Sequence, residues 1–199
     1  MLLLACTLHT GMAYSASKNL LVLGDSLSAE YGLTRGTGWV PLLERKLKEQ
    51  KRDDKVVNAS ISGDTTSGGR ARLAPLLDKY SPATVVIELG ANDALRGLSI
   101  TATEDNLRAM IKAAQSKGAK VLLVGMQIPP NYGSDYTKGF ADLYPKLSKE
   151  YKTGLVPFLL VELMDKPQLF QSDRMHPVAA AQPLLLNTVW PHLKPLLPK

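Results

Sequence analysis

Apolar positions recur in short solid runs, separated by longer amphipathic stretches. Leu20-Leu21-Val22-Leu23 is an unbroken apolar run closed by Gly24, which predicts a strand buried on both faces. Trp39 to Gln50 sets Trp39, Leu43 and Leu47 on one helical face and tolerates Pro41 in its first turn. Val56-Val57 predicts a second strand, and Arg70 to Lys79 carries Leu73, Leu76 and Leu77 at helical spacing. Thr84 to Leu89 is rich in β-branched residues and predicts a third strand. Thr101 and Glu104 form a candidate capping box ahead of Leu107, Met110, Ile111 and Ala114, with Gly118 as the stop. Val121 to Val124 predicts a fourth strand, Tyr136 to Tyr151 a helix, and Leu155-Val156 a short fifth strand. Val178 to Leu193 predicts a C-terminal helix, with Pro183 near its start or at a kink.

Strands alternating with helices imply βαβ units and a mostly parallel sheet. The strands are apolar throughout, as helices on both faces require. No internal repeat, linker or low-complexity segment interrupts the pattern. The 199 residues suit one three-layer α/β/α domain, with its site at the carboxyl ends of the strands.

Composition narrows the function classes. With 45% hydrophobic and 21% charged residues, the chain is neither a disordered tail nor a multi-span membrane protein. A single cysteine and three histidines argue against a disulfide scaffold and against a cysteine- or histidine-rich metal site. The net charge of +6 would suit an anionic partner. The densest basic run spans Arg45 to Lys55, but Glu44, Glu49, Asp53 and Asp54 interleave with it. It reads as a solvated face rather than a nucleic-acid surface. Neither Gly-x-Gly-x-x-Gly nor a P-loop lysine motif is present to hold a nucleotide.

Residues 1–17 read as a secretion signal or its remnant. No charge precedes Lys18, and the stretch ends in Ala13-Tyr14-Ser15-Ala16-Ser17, which suits signal-peptidase cleavage although a basic n-region is missing. Leu3-Leu4-Ala5-Cys6 offers a lipobox as the other reading. The expectation is a periplasmic or secreted protein whose single domain spans 18–199 and contains no cysteine. The apolar runs are too short for stable membrane insertion.

Polar segments follow the predicted strands. They are Gly24-Asp25-Ser26-Leu27-Ser28, Asn58 to Thr66, Gly90-Ala91-Asn92-Asp93, and Asp173-Arg174-Met175-His176-Pro177 before the last helix. Of the histidines, only His176 follows a polar turn and precedes a helix, as a general base at a strand-end site would. Asp173, three residues earlier, could orient it, or could simply cap the helix beside a surface histidine. Ser26 at a strand-to-helix turn is a candidate nucleophile or a plain turn residue. Gly63 and Asn92 could donate N–H groups to a developing oxyanion, or serve as a loop glycine and a cap. No Gly-x-Ser-x-Gly occurs, which argues against the α/β-hydrolase fold.

Taken together, the four segments resemble the SGNH (GDSL) hydrolase family, whose name lists the residue types found here as Ser26, Gly63, Asn92 and His176. The similarity runs from about Leu20 to Leu193. Longer stretches, including Ser62-Gly63-Asp64-Thr65-Thr66, Ile128 to Gly133 and Ala180-Ala181-Gln182-Pro183, resemble the small periplasmic esterases of bacteria. The resemblance implies a flavodoxin-like, five-stranded sheet of order 2-1-3-4-5, with no metal and no cofactor. It implies Ser26 as nucleophile, His176 as base and Asp173 as the group that orients it. The backbone N–H groups of Ser26 and Gly63 and the Asn92 side chain would form the oxyanion hole. Arylesterase, thioesterase and lysophospholipase activities on small-molecule esters follow, with no nucleic-acid partner and an expected monomer. A carbohydrate O-acetyl esterase, or a non-catalytic apolar-ligand binder on the same scaffold, are the alternatives. Arg174, Ala94 and Val178 depart from the family pattern and bear on substrate preference. The loop after the fourth strand is expected to line an acyl groove through Met126, Ile128, Pro129, Pro130 and Tyr132.

Overall fold

A computed structural model describes residues 18–198. Five strands, β1 (Asn19–Gly24), β2 (Lys55–Asn58), β3 (Thr84–Glu88), β4 (Lys120–Val124) and β5 (Gly154–Val156), form one all-parallel sheet in the order β2-β1-β3-β4-β5. Six helices connect and flank them: α1 (Trp39–Glu49), α2 (Thr66–Tyr80), α3 (Ala91–Leu95), α4 (Ile100–Ser116), α5 (Ser134–Tyr151) and α6 (Gln182–Leu193). α1 packs with α6, while α4 packs with α2 and α5, so the sheet lies between two helical layers. The central strands are therefore apolar on both faces, and Leu20 to Leu23, Val85 to Ile87 and Val121 to Val124 are all buried.

Register brings two residues of the site together. Gly24 at the end of β1 lies opposite Glu88 at the end of β3. A Cβ on Gly24 would come within 2.8 Å of Glu88 Oε2, so the missing side chain makes room for a buried carboxyl. At the exit of β3, Gly90 takes φ 126°, and a Cβ there would lie 2.5 Å from the Tyr144 hydroxyl. Only glycine makes that turn into α3.

Several element boundaries differ from the sequence expectation for local reasons. α2 begins at Thr66, four residues before Arg70, because the Thr65 hydroxyl accepts from the Gly68 N–H at 3.3 Å. The capping box at Thr101 and Glu104 is not formed. The cap is Ser99, whose hydroxyl accepts from Ala102 N–H, and Glu104 instead pairs with Arg108 and Lys146. α3 occupies a stretch read as a turn. The C-terminal helix starts at Gln182 with Pro183 in its first turn, after a 3-10 turn at Ala179–Ala181. Among the described residues, no helix is long and apolar enough to cross a membrane. The leader and lipobox readings lie outside the described residues.

Candidate active site

All four polar segments converge at the carboxyl edge of the sheet. After β1 the chain turns sharply: Ser28 and Ala29 both donate backbone N–H groups to the Asp25 carbonyl, and Leu27 N–H donates to Asp25 Oδ1 at 3.0 Å. This leaves Ser26 half-buried at the edge. His176 Nε2 lies 2.9 Å from Ser26 Oγ, and His176 Nδ1 lies 2.6 Å from Asp173 Oδ2.

Asp173 also accepts the backbone N–H groups of Met175 at 2.9 Å and of His176 at 3.0 Å. Those two N–H groups, followed by the imidazole, hold its carboxyl down at about 2. An ionised carboxylate only accepts, so Nδ1 carries the hydrogen and Nε2 is left to accept the Ser26 hydroxyl. Asp173 thus caps its own turn and holds the ring at once, but it does not cap the last helix, which begins only at Gln182.

The histidine loop is clamped from several sides. Gln171 Nε2 donates to the carbonyls of Tyr31 and Pro177, and Gln171 N–H donates to the His176 carbonyl at 2.7 Å. Buried Gln182 accepts from Trp39 N–H at 3.0 Å and donates to the Pro177 carbonyl at 3.4 Å, tying α1 to the loop. Tyr31 packs against the imidazole with ring centroids 4.4 Å apart. Arg174, in the left-handed region at φ 58°, fits this loop through a bond from its N–H to the Gln171 carbonyl at 2.9 Å. Val178 donates its N–H to the Leu169 carbonyl. Neither departure from the family pattern breaks the loop.

Gly63 and Asn92 are joined through their neighbours. Arg96, just past α3, donates to the Gly63 carbonyl at 2.9 Å. Asp93 accepts Thr66 N–H at 2.8 Å and the Thr66 hydroxyl at 2.5 Å, fixing the start of α2 to α3. Gly63 has φ 77°. Among the described residues, neither the Ser26 nor the Gly63 backbone N–H has an acceptor. Asn92 Nδ2 donates to Asp25 Oδ2 at 3.0 Å. Such a set can hold a hydroxyl ready to be deprotonated and can offer N–H donors beside it. Among the described residues, no cluster of three or more His, Cys, Asp or Glu could hold a metal ion.

A family model described as GDSL-like Lipase/Acylhydrolase matches residues 22–183. The chain belongs to that family. It is 50% identical over 194 residues to "Esterase TesA" of Pseudomonas aeruginosa, covering 98% of this chain and 96% of that protein. It is 42% identical over 183 residues to "Thioesterase 1/protease 1/lysophospholipase L1" of Escherichia coli K12, covering 92% and 86%. Its fold superposes on the psychrotrophic esterase EstA from Pseudoalteromonas sp., solved inhibited by monoethylphosphonate, with TM-score 0.86, 40% identity and coverage of 90% and 98%. With these relatives, the chain is an ester hydrolase of the GDSL-like family.

The GDSL-like site opens into a cavity of about 300 Å³ lined by Ser26, Asn92 and His176 at its polar end. Of the expected groove residues, Met126, Ile128 and Pro129 line it. Pro130 and Tyr132 are not among its lining residues. The chain enters a 3-10 turn at Pro130–Tyr132, and the Tyr132 hydroxyl donates to the Leu95 carbonyl at 3.1 Å. Tyr132 therefore braces α3 rather than the cavity. Leu27, Ala91, Leu95, Leu160, Phe170 and Met175 complete the apolar wall. Leu160 and Phe170 carry no local signal in the sequence, because long connections bring them to the site.

Proposed function

We propose that this ester hydrolase cleaves carboxylic esters and thioesters of apolar acyl groups, with Ser26 as its nucleophile. The reading is carried by the unbroken contact from Asp173 through His176 to Ser26 at the mouth of an apolar cavity. Ser26 Oγ attacks the carbonyl carbon while His176 Nε2 takes its proton. Asp173 steadies the imidazolium that forms. The Ser26 and Gly63 backbone N–H groups and Asn92 Nδ2 stabilise the charge on the former carbonyl oxygen. His176 then returns the proton to the departing alkoxide or thiolate. Water repeats the sequence on the acyl-enzyme and regenerates Ser26.

The apolar wall favours an acyl chain over an acetylated sugar, whose hydroxyls would find few partners there. The protein works as a monomer outside the cytoplasm, in the periplasm or secreted. That placement rests on the apolar stretch 1–17 with its small-residue end, and on a remaining sequence without cysteine. A panel of p-nitrophenyl esters of rising chain length, together with acyl-CoA, tests the substrate class. Turnover should rise beyond acetyl for esters and extend to the thioester. Each buried methylene is worth about 0.8 kcal/mol, roughly fourfold. Ile128→Ala should then lower kcat/KM for octanoyl relative to acetyl by about tenfold. A wild-type preference for acetylated sugars, with no gain from chain length, would contradict the proposal.

A further inference from the structure

Beneath the Ser26 turn lie two buried carboxyls that the mechanism above does not use. Asp25 is 1% exposed and Glu88 is 0% exposed. Glu88 Oε2 accepts the Ser28 hydroxyl at 2.7 Å and Asp25 N–H at 3.3 Å. Ser28 Oγ in turn accepts the Trp39 indole N–H at 3.2 Å. Among the described residues, Glu88 Oε1 has no hydrogen-bond partner. On the other side, Asp25 Oδ1 takes Leu27 N–H, and Oδ2 takes Asn92 Nδ2.

Asn92 Nδ2 carries two hydrogens. Asp25 takes one, which leaves the other free for the cavity that Asn92 lines. An ionised Asp25 repels the amide oxygen, so it selects the orientation that presents N–H. A protonated Asp25 could donate to a flipped amide and turn that donor away. Two adjacent buried carboxyls cannot both ionise at small cost. Among the described residues, no donor reaches Glu88 Oε1 to stabilise a charge there, so of the two carboxyls Glu88 is the one better kept neutral.

We propose that Asp25 and Glu88 are positioning residues that share one proton and one negative charge, with the charge on Asp25, and that this charge holds the Asn92 amide with its N–H toward the substrate carbonyl. The proposal rests on the assignment of Ser26 and Asn92 made above. Burial, and then the charge of Asp25, push Glu88 well above the usual carboxylate range, so Glu88 is the partner that keeps the proton. Burial lifts Asp25 to about 6, against the pull of Leu27 N–H, His176, Glu88 and Asn92. The other titratable groups facing the pair are Tyr144 of α5, whose hydroxyl donates to the Leu89 carbonyl, Asp93 of α3, held by Thr66, and Arg72 of α2, which reaches the Gly24 carbonyl. Protonation of either His176 or Asp25 then stops turnover, and the acid limb of activity is a two-proton limb.

The test follows kcat and KM for p-nitrophenyl acetate on the full chain between about pH 4.5 and 8. In the wild type, log kcat/KM should approach a slope of two at the acid end. Asp25→Asn should cut plateau kcat about a hundredfold or more, leave KM within about threefold, and reduce the slope to one. In an Asn92→Ala background the same substitution should cost less than about threefold, because its route is gone. Glu88→Gln, whose amide N–H replaces the carboxyl proton, should keep the two-proton limb at its wild-type pH. Glu88→Leu should move that limb to higher pH. An Asp25→Asn enzyme with wild-type kcat and limb would overturn the proposal, and so would a Glu88→Gln limb displaced to lower pH. Ser26→Ala separates the two levels. If it stays active, the nucleophile assignment fails. If it is inactive while Asp25→Asn behaves as wild type, only the carboxyl pair fails.

Discussion

Asp25 and Asp173 show how one residue type is set to two tasks by its surroundings. Asp173, at the surface, accepts two backbone N–H groups and an imidazole and is held down at about 2. It stays ionised across the working range, and the stability it adds is lost only as pH falls from the unfolded value of 3.8 through about 2. Asp25 is buried and raised to about 6 from 3.8. It binds its proton more tightly folded than unfolded, so the stability it contributes is present in full below 3.8 and is lost as pH rises through about 6. Its ionisation is therefore a cost of folding near neutral pH. Asp25→Asn removes that cost and should melt several degrees higher than wild type at about pH 8, with the gain gone at about pH 3.5. Thermal melts at the two pH values check this. A variant less stable at the higher pH, or equally stabilised at both, would contradict it.

Among the elements, the strands and the long periodic helices were legible, and short or glycine-rich helical stretches were not. α1, α4 and α5 and the buried strands follow from apolar spacing alone, because each has enough turns or an unbroken run to fix its face. α3 has five residues, too few to show a period, and α2 hides its first turn behind Gly68 and Gly69. The start of α4 sets two readings against each other. Ser99→Ala should destabilise by about 1 kcal/mol through loss of the cap, while Thr101→Ala inside the first turn should change stability by less than about 0.5 kcal/mol. Urea titration of the two variants distinguishes them, and a larger loss at Thr101 would restore the capping box read from the sequence.

At the scale of the whole molecule, the sheet order decides which residues meet. The polar segments after the strands are visible in the chain, but their convergence is a property of the parallel β2-β1-β3-β4-β5 arrangement. So is the register that sets Glu88 opposite Gly24, which no local pattern announces. The far wall of the cavity, Leu160 and Phe170, also arrives by tertiary packing, while the turn at Pro130 carries Tyr132 out of the lining. The whole arrangement predicts one reactive hydroxyl, at Ser26. Its most direct test is reaction with a fluorophosphonate followed by peptide mass mapping. One adduct should form on the peptide carrying Ser26, with complete loss of esterase turnover, and Ser26→Ala should take up none. Labelling at another residue, or a Ser26→Ala protein that turns over at the wild-type rate, would contradict the account.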